Sequence, residues 1–245
     1  MPDQRVDLSA RSALVNGAGA GHGRAIALAL ADSGAAVALS DINIERAERA
    51  REQIHERGGI AIALQADISN RFQAANMIEQ TRDAFGKLHI LVNATRIFHP
   101  EAMLSIDEWN WRRQLEVNIT GVFFCMQLAG RVMADEGGGV MINLVAADGL
   151  GATAPSGIGY VVGQAAALAM TRQAARELAP GIRVNAIAVG RDRSDKSPLA
   201  EDTRGLILPA PPTGNVAETA LFLCSDAAES LSGQVLVADE RESTD

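Results

Sequence analysis

The chain has 245 residues, 47% of them hydrophobic and 21% charged, which excludes a disordered polymer and leaves room for one large α/β domain or two small ones. Its net charge of −8 argues against nucleic acid or an anionic membrane as partner, because both call for a basic face. Cys125 and Cys224 stand in apolar runs without metal-ligand spacing, so no metal is expected and a reducing, cytoplasmic setting fits.

The N-terminal stretch MPDQRVDLSARS has no apolar core of the kind a signal peptide needs, and residues 1–8 read as a frayed end. SALVNG (12–17) has strand length and is followed by the helix-like HGRAIALALADSG. AAVALSD (35–41) precedes INIERAERAREQIHERGG, and IAIALQAD (60–67) precedes RFQAANMIEQTRDAFG. LHILVN (88–93) leads to a helix expected from Ile106 to Ala134, opened by a capping box of Ser105 and Glu108. Trp109 and Trp111, just inside it, read as packing residues. GVMINLV (139–145) leads through a loop to a helix from Tyr160 to Ala179, then IRVNAIAV (182–189) and GQVLVAD (233–239). The uncharged run from Gly149 to Thr171 is broken by Gly and Pro, so it reads as a loop and buried helix, not a membrane span. Residues 190–214 are charged, then Pro-rich, and read as a short surface loop; residues 240–245 read as a frayed polar tail.

Strands rich in Val, Ile and Ala, uncharged through their middles, suit a parallel sheet covered on both faces. Their alternation with helices predicts right-handed crossovers and a doubly wound, Rossmann-type sheet of about seven strands in a single domain, 1–245.

Directly after the first strand, NGAGAGHGRAIA places Gly17, Gly19, Gly21 and Gly23 at a strand-to-helix turn. Such glycines let the backbone approach a pyrophosphate seated at the helix N-terminus. Asp41 ends the second strand, where a carboxylate can accept from an adenosine ribose and repel a 2′-phosphate; the alternative is a charge at the N-terminus of the next helix. Asp67 ends the third strand and is open to two roles, cofactor contact or helix cap.

Taken in order, GAGAGHG, SDIN, ADIS, ILVN, LEVNITGVFF, the Tyr160 helix with IRVNAIAVG, and ETALFLCSDAAESLSGQVLVAD resemble the short-chain dehydrogenase/reductase family over residues 8 to 239. The resemblance implies a nicotinamide cofactor at the C-terminal strand ends, with Asp41 favouring NAD(H) and Asn93 lining the pocket, and a dimer or tetramer. It also implies a catalytic Asn, Ser, Tyr and Lys. Asn118 and Tyr160 match the first and third of these. The Lys slot holds Gln164 and the Ser slot Ala146 or Ala147, depending on alignment. Further departures from the family pattern are Arg96 where a Gly is usual, His22 where an Ile is usual, and Asp239-Glu240-Arg241 near the C-terminus. Arg96 and His22 bear on whether a dinucleotide enters, and could instead hold an anionic ligand together.

An unassisted tyrosine titrates near 10, so only about one in a thousand is ionised at neutral pH. Without a lysine cation, alcohol oxidation suffers most, while carbonyl reduction needs a neutral acid and partly survives. The expected function is therefore a non-catalytic or weakly active NAD(H)-type subunit, paired with itself or with an active homologue. The alternatives are an active oxidoreductase with a relay rebuilt around Arg96 or His22, a non-redox enzyme using Tyr160, or an NAD(H)-responsive binding protein.

Overall fold

The computed structural model describes residues 6–146, 157–189, 208–209 and 215–238. Among the described residues eight strands form one parallel sheet, seven of four or more residues and one of two: β1 (Ser12–Asn16), β2 (Ala36–Asp41), β3 (Ile60–Gln65), β4 (Ile90–Asn93), β5 (Gly139–Ala146), β6 (Ile182–Val189), the two-residue β7 (Leu208–Pro209) and β8 (Val235–Ala238). Their order is β3-β2-β1-β4-β5-β6-β8-β7, so the direction of winding reverses between β1 and β4. Sheets of this kind bind ligands in the crevice beyond the carboxyl ends at that reversal.

Successive strand residues alternate between two cores. Val15 packs with Ile26 and Leu30 of α1 (Gly21–Asp32), Ala47 and Ile54 of α2 (Ile44–Glu56) and Leu223 of α7 (Val216–Cys224). Leu14, one residue earlier, packs on the other face with Met77 and Ile78 of α3 (Arg71–Phe85) and Met126 and Met133 of α5 (Val122–Glu136). The uncharged strands reflect this: β1 has no residue left at the surface. The last helix of the second face is α6 (Ile158–Glu177), starting and ending two residues before the expected bounds.

The expected helix from Ile106 to Ala134 runs from Glu108 to Glu136, as α4 (Glu108–Leu115), a π-helical turn (Glu116–Gly121) and α5. By length and composition this run could cross a membrane, but half of its apolar window is buried within the fold. The capping box is corrected. The amides of Ser105 and Ile106 both bond the Ala102 carbonyl, closing a turn before the helix, and the Ser105 hydroxyl also donates to that carbonyl. The cap is Asp107, whose carboxylate accepts from Asn110 N at 2.8 Å. Trp109 is a second correction: it is 69% exposed and packs into no core.

At the other end of the run, Glu136 ties three elements. One carboxylate oxygen meets Arg82 Nε of α3 at 2.7 Å and the other accepts from Leu88 N at 2.9 Å. Partial burial opposes ionisation, but the Leu88 amide and Arg82 outweigh it and hold the carboxyl below its usual value. A depressed carboxylate stabilises the fold fully above the unfolded pKa of about 4.3 and loses that contribution as pH falls through the folded value. Glu136→Gln is therefore expected to flatten the acid side of the stability curve, read by urea unfolding between about pH 3 and 5. An unchanged slope would show that Glu136 is not the group responsible.

Candidate active site

The glycine loop and the start of α1 form an open cradle. A Cβ on Gly17 (φ 71°) would lie 2.8 Å from Thr95 N, and one on Gly23 would lie 2.2 Å from the Gly17 carbonyl oxygen. The loop is thus packed tightly against α1 and the segment after β4. A Cβ on Gly21 would meet nothing within 4 Å, so the cradle's mouth is clear. No side chain caps α1, whose N-cap is Ala20, and no acidic residue stands in its first turn. The amides there lack intrahelical partners, which is an anion-binding geometry.

Asp41 closes the side of the cradle. Its Oδ2 accepts from Gly19 N at 3.0 Å and its Oδ1 from Asn43 N at 3.0 Å. It does not cap α2; Asn43 does, accepting from Arg46 N. Asp67 is not a cap either, which corrects that alternative: Asn70 caps α3 through Phe72 N and Gln73 N. Asp67 accepts from Ser69 N and Oγ and from Arg113 Nη2 at 2.9 Å, pinning the end of β3 to α4. Burial raises its pKa, but Ser69 and Arg113 outweigh burial and lower it. His22 is half-buried in the first turn of α1, and Arg96 is exposed on the segment that passes the glycine loop.

Asn93 belongs to a buried polar ladder that sequence reasoning largely missed. Asn16, Asn93 and Asn143 occupy one register row across β1, β4 and β5. Asn16 Nδ2 donates to Asn93 Oδ1 at 2.5 Å, Asn93 Nδ2 to Asn143 Oδ1 at 2.7 Å, and Asn143 Nδ2 to Thr171 Oγ1 of α6 at 2.9 Å. Asn16 Oδ1 accepts from Ala94 N and Thr95 N, fixing the turn that abuts Gly17. The signal was present: ALVN, ILVN and MIN each carry one amide within an otherwise apolar run.

Asn118 and Gln164, two of the residues at the expected catalytic positions, border the end of this ladder. Asn118 sits in the π-helical turn and makes two bonds of 2.9 Å to the backbone of Ile97, one accepting and one donating. Ala146 is the last residue of β5; Ala147 falls outside the described residues, as do Asp239, Glu240, Arg241 and most of 190–214. Gln164 is 3% exposed and its Oε1 accepts from Ala146 N at 2.8 Å. The residue in the Lys slot is thus bonded to the backbone of Ala146, one of the two residues that could fill the Ser slot. Asn93, Asn118, Asn143 and Gln164 border a cavity of about 10 Å³, the size of one water molecule. Tyr160 lies in the first turn of α6, its ring 5.0 Å from that of Phe98, edge to face. Nearby, Gln114 is fully buried and its Nε2 has no partner among the described residues. Sequence reading passed over it because a helical glutamine carries no motif.

Chemically, the arrangement offers an anion cradle, a carboxylate beside it, a phenol and a set of neutral amides. The Lys slot contributes no charge.

The comparisons agree with this geometry. A family model described as enoyl-(acyl carrier protein) reductase matches residues 17–240. The chain is 33% identical to (2S)-[(R)-hydroxy(phenyl)methyl]succinyl-CoA dehydrogenase subunit BbsD of Thauera aromatica, over 92% of this chain and 94% of that one. It is 35% identical to the 3-oxoacyl-(acyl-carrier-protein) reductase FabG of Staphylococcus aureus, over 92% and 95%. A solved short-chain type dehydrogenase/reductase from Mycobacterium marinum is 30% identical and superposes with a TM-score of 0.84 over 98% of both chains. With the sheet, the glycine cradle and these matches in agreement, the chain belongs to the short-chain dehydrogenase/reductase family.

Proposed function

We propose that this chain is an NAD(H)-type, cytoplasmic member of its family whose acid–base machinery is disabled, and that it serves as a weakly active or non-catalytic subunit beside a related chain with an intact Ser-Tyr-Lys set. The observation that carries this is Gln164, a neutral, buried side chain whose oxygen is committed to Ala146 N. The cradle residues fit a dinucleotide: the α1 amides would hold its pyrophosphate and Asp41 its adenosine ribose. When bound, the nicotinamide supplies hydride chemistry. Tyr160 as a neutral phenol can donate a proton to a carbonyl oxygen, but Gln164, in the Lys slot, supplies no charge to help it accept one. Losing a hydrogen-bond donor to the substrate oxygen costs roughly 10²–10³ in rate, and losing acid–base assistance costs roughly 10²–10⁴, non-additively.

The subunit role draws support from the outer face of α6. Val162, Ala165 and Ala169 follow one helical stripe and are exposed, and Phe123 of α5 is 44% exposed. These small and apolar groups suit a close contact with another chain. One relative is itself named as a dehydrogenase subunit. The purified chain is expected to be an oligomer by light scattering at micromolar concentration, with little alcohol oxidation at neutral pH. Co-expression with an intact-tetrad homologue from the same genome should yield a stable mixed oligomer. A monomer would refute the interface, and full activity of the chain alone would refute the subunit role.

For the cofactor, NADP(H) is expected to bind about tenfold more weakly than NAD(H), or worse, because its 2′-phosphate would face the Asp41 carboxylate. Calorimetry with both cofactors tests this, and Asp41→Ser should narrow the gap. Equal or tighter NADP(H) binding by the unaltered chain would overturn it.

A further inference from the structure

The end of the sheet opposite the glycine cradle carries a second concavity, of about 590 Å³. It opens where β1, β4, β5 and β6 begin, and its size is that of a small-molecule site. Its charged groups divide in two. Arg183, half-buried, donates to the carbonyls of Leu223 at 2.7 Å and Leu231 at 3.3 Å; burial lowers its pKa, opposed by Cys224 and by the carboxylates of Glu229 and Asp226, which line this same half. Glu136 is committed to Arg82 and Leu88 N.

Arg11, Lys87 and His89 make up the other half. The Arg11 guanidinium has no hydrogen-bond or ion-pair partner among the described residues, and Lys87 Nζ reaches only the Glu136 carbonyl, at 3.3 Å. Ser12 N donates to His89 Nδ1 at 3.1 Å and the Ser12 hydroxyl lies 3.0 Å from the same nitrogen, so Nδ1 is engaged within the fold and Nε2 is the ring nitrogen that can meet a ligand. Burial first, then the charges of Arg11 and Lys87, hold His89 below its usual range, with Glu136 opposing them. Three donors share one edge of a concavity; Glu136, the carboxylate acting on His89, is engaged elsewhere, and Asp226 and Glu229 line the Arg183 half. In a chain of net charge −8, such a cluster is a local exception.

We propose that this concavity is a binding site for an oxyanion, phosphate-like or carboxylate, held by Arg11, Lys87 and the Nε2–H of His89. Charge-assisted bonds of this kind are about twice as strong as neutral ones, and the ligand relieves the repulsion among the donors. Because the site lies at the amino ends of the strands, it does not overlap the dinucleotide cradle at their carboxyl ends.

The bound anion must favour the imidazolium, so it must raise the pKa of His89. The test follows the histidine ring protons of the full chain by NMR as pH is varied. The chain has four histidines, and His89→Gln identifies the relevant signal. Sulfate, whose charge is constant over this range, stands for the phosphate-like class and acetate for the carboxylate class, each against chloride at equal ionic strength. The site predicts an upward shift of the His89 titration with sulfate or acetate beyond the chloride control, while His55 stays fixed. Whichever probe gives the larger shift assigns the class. Arg11→Ala and Lys87→Ala should each weaken the effect about tenfold. No shift beyond chloride would overturn the proposal. A shift that survives both substitutions would mean an adventitious ion only, and would overturn it equally.

Discussion

Replacing Gln164 by Lys, together with Ser at 146 or 147, is expected to raise carbonyl reduction by the isolated chain by about 10²-fold or more. Lysine restores a positive charge near Tyr160, and serine restores a donor to the substrate oxygen. The geometry adds a cost. Gln164 Oε1 is the acceptor for Ala146 N, and lysine has no acceptor to replace it. An orphaned buried amide costs about 1–3 kcal/mol, so the gain in rate should accompany a lower unfolding midpoint. The gain should vanish when Tyr160→Phe is added. If cofactor binds and the fold holds but the rate does not rise, the defect lies elsewhere in the pocket, and the disabled-relay explanation is wrong.

Asn93→Leu is expected to destabilise the chain by about 3–5 kcal/mol, roughly the sum of two unsatisfied buried groups. Asn93 is 2% exposed and stands in the middle of the asparagine ladder. Leucine is close in size, so the loss is of hydrogen bonds rather than volume. It would strand Asn16 Nδ2, left with only Cys125 Sγ at 3.6 Å, and Asn143 Oδ1. Against a typical total of 5–15 kcal/mol, this is a large fraction. Loss of the surface cap in Asp107→Ala should cost about 1 kcal/mol by comparison. Urea unfolding measures both. A cost for Asn93→Leu no greater than for Asp107→Ala would show that the ladder is dispensable to stability.

These two sites differ in how far they could be read in advance. The substitutions at Gln164 and Ala146 are visible as letters, because Tyr160 and the INLV strand give fixed points from which to count. Their consequence was only half visible. That the glutamine is buried and bonded to the Ala146 backbone depends on α6 lying against the end of β5, and nothing local to either segment specifies that bond. The ladder is a stronger case. Each asparagine is individually legible, but their pairing requires β1, β4 and β5 to be neighbours in register, although residues 16, 93 and 143 are far apart in the chain.

By itself, the sequence determined the strand–helix alternation, the parallel sheet and the glycine turn. Those are consequences of local periodicity and residue type: uncharged runs of Val, Ile and Ala between amphipathic segments, and glycines where no Cβ fits. Tertiary structure decided what competes for each polar group. Asp107 rather than Ser105 caps α4 because a turn closed on Ala102 precedes the helix. Asp67 goes to Arg113, 46 positions away in sequence, rather than to the helix beside it, because Asn70 sits at the cap. The concavity at the strand starts likewise brings Arg11, just before β1, beside Lys87 and His89, just before β4. Hydrogen bonds and charges act over a few ångströms, so their partners are set by which chain segments the packed sheet makes adjacent, and that adjacency is not written in any local pattern.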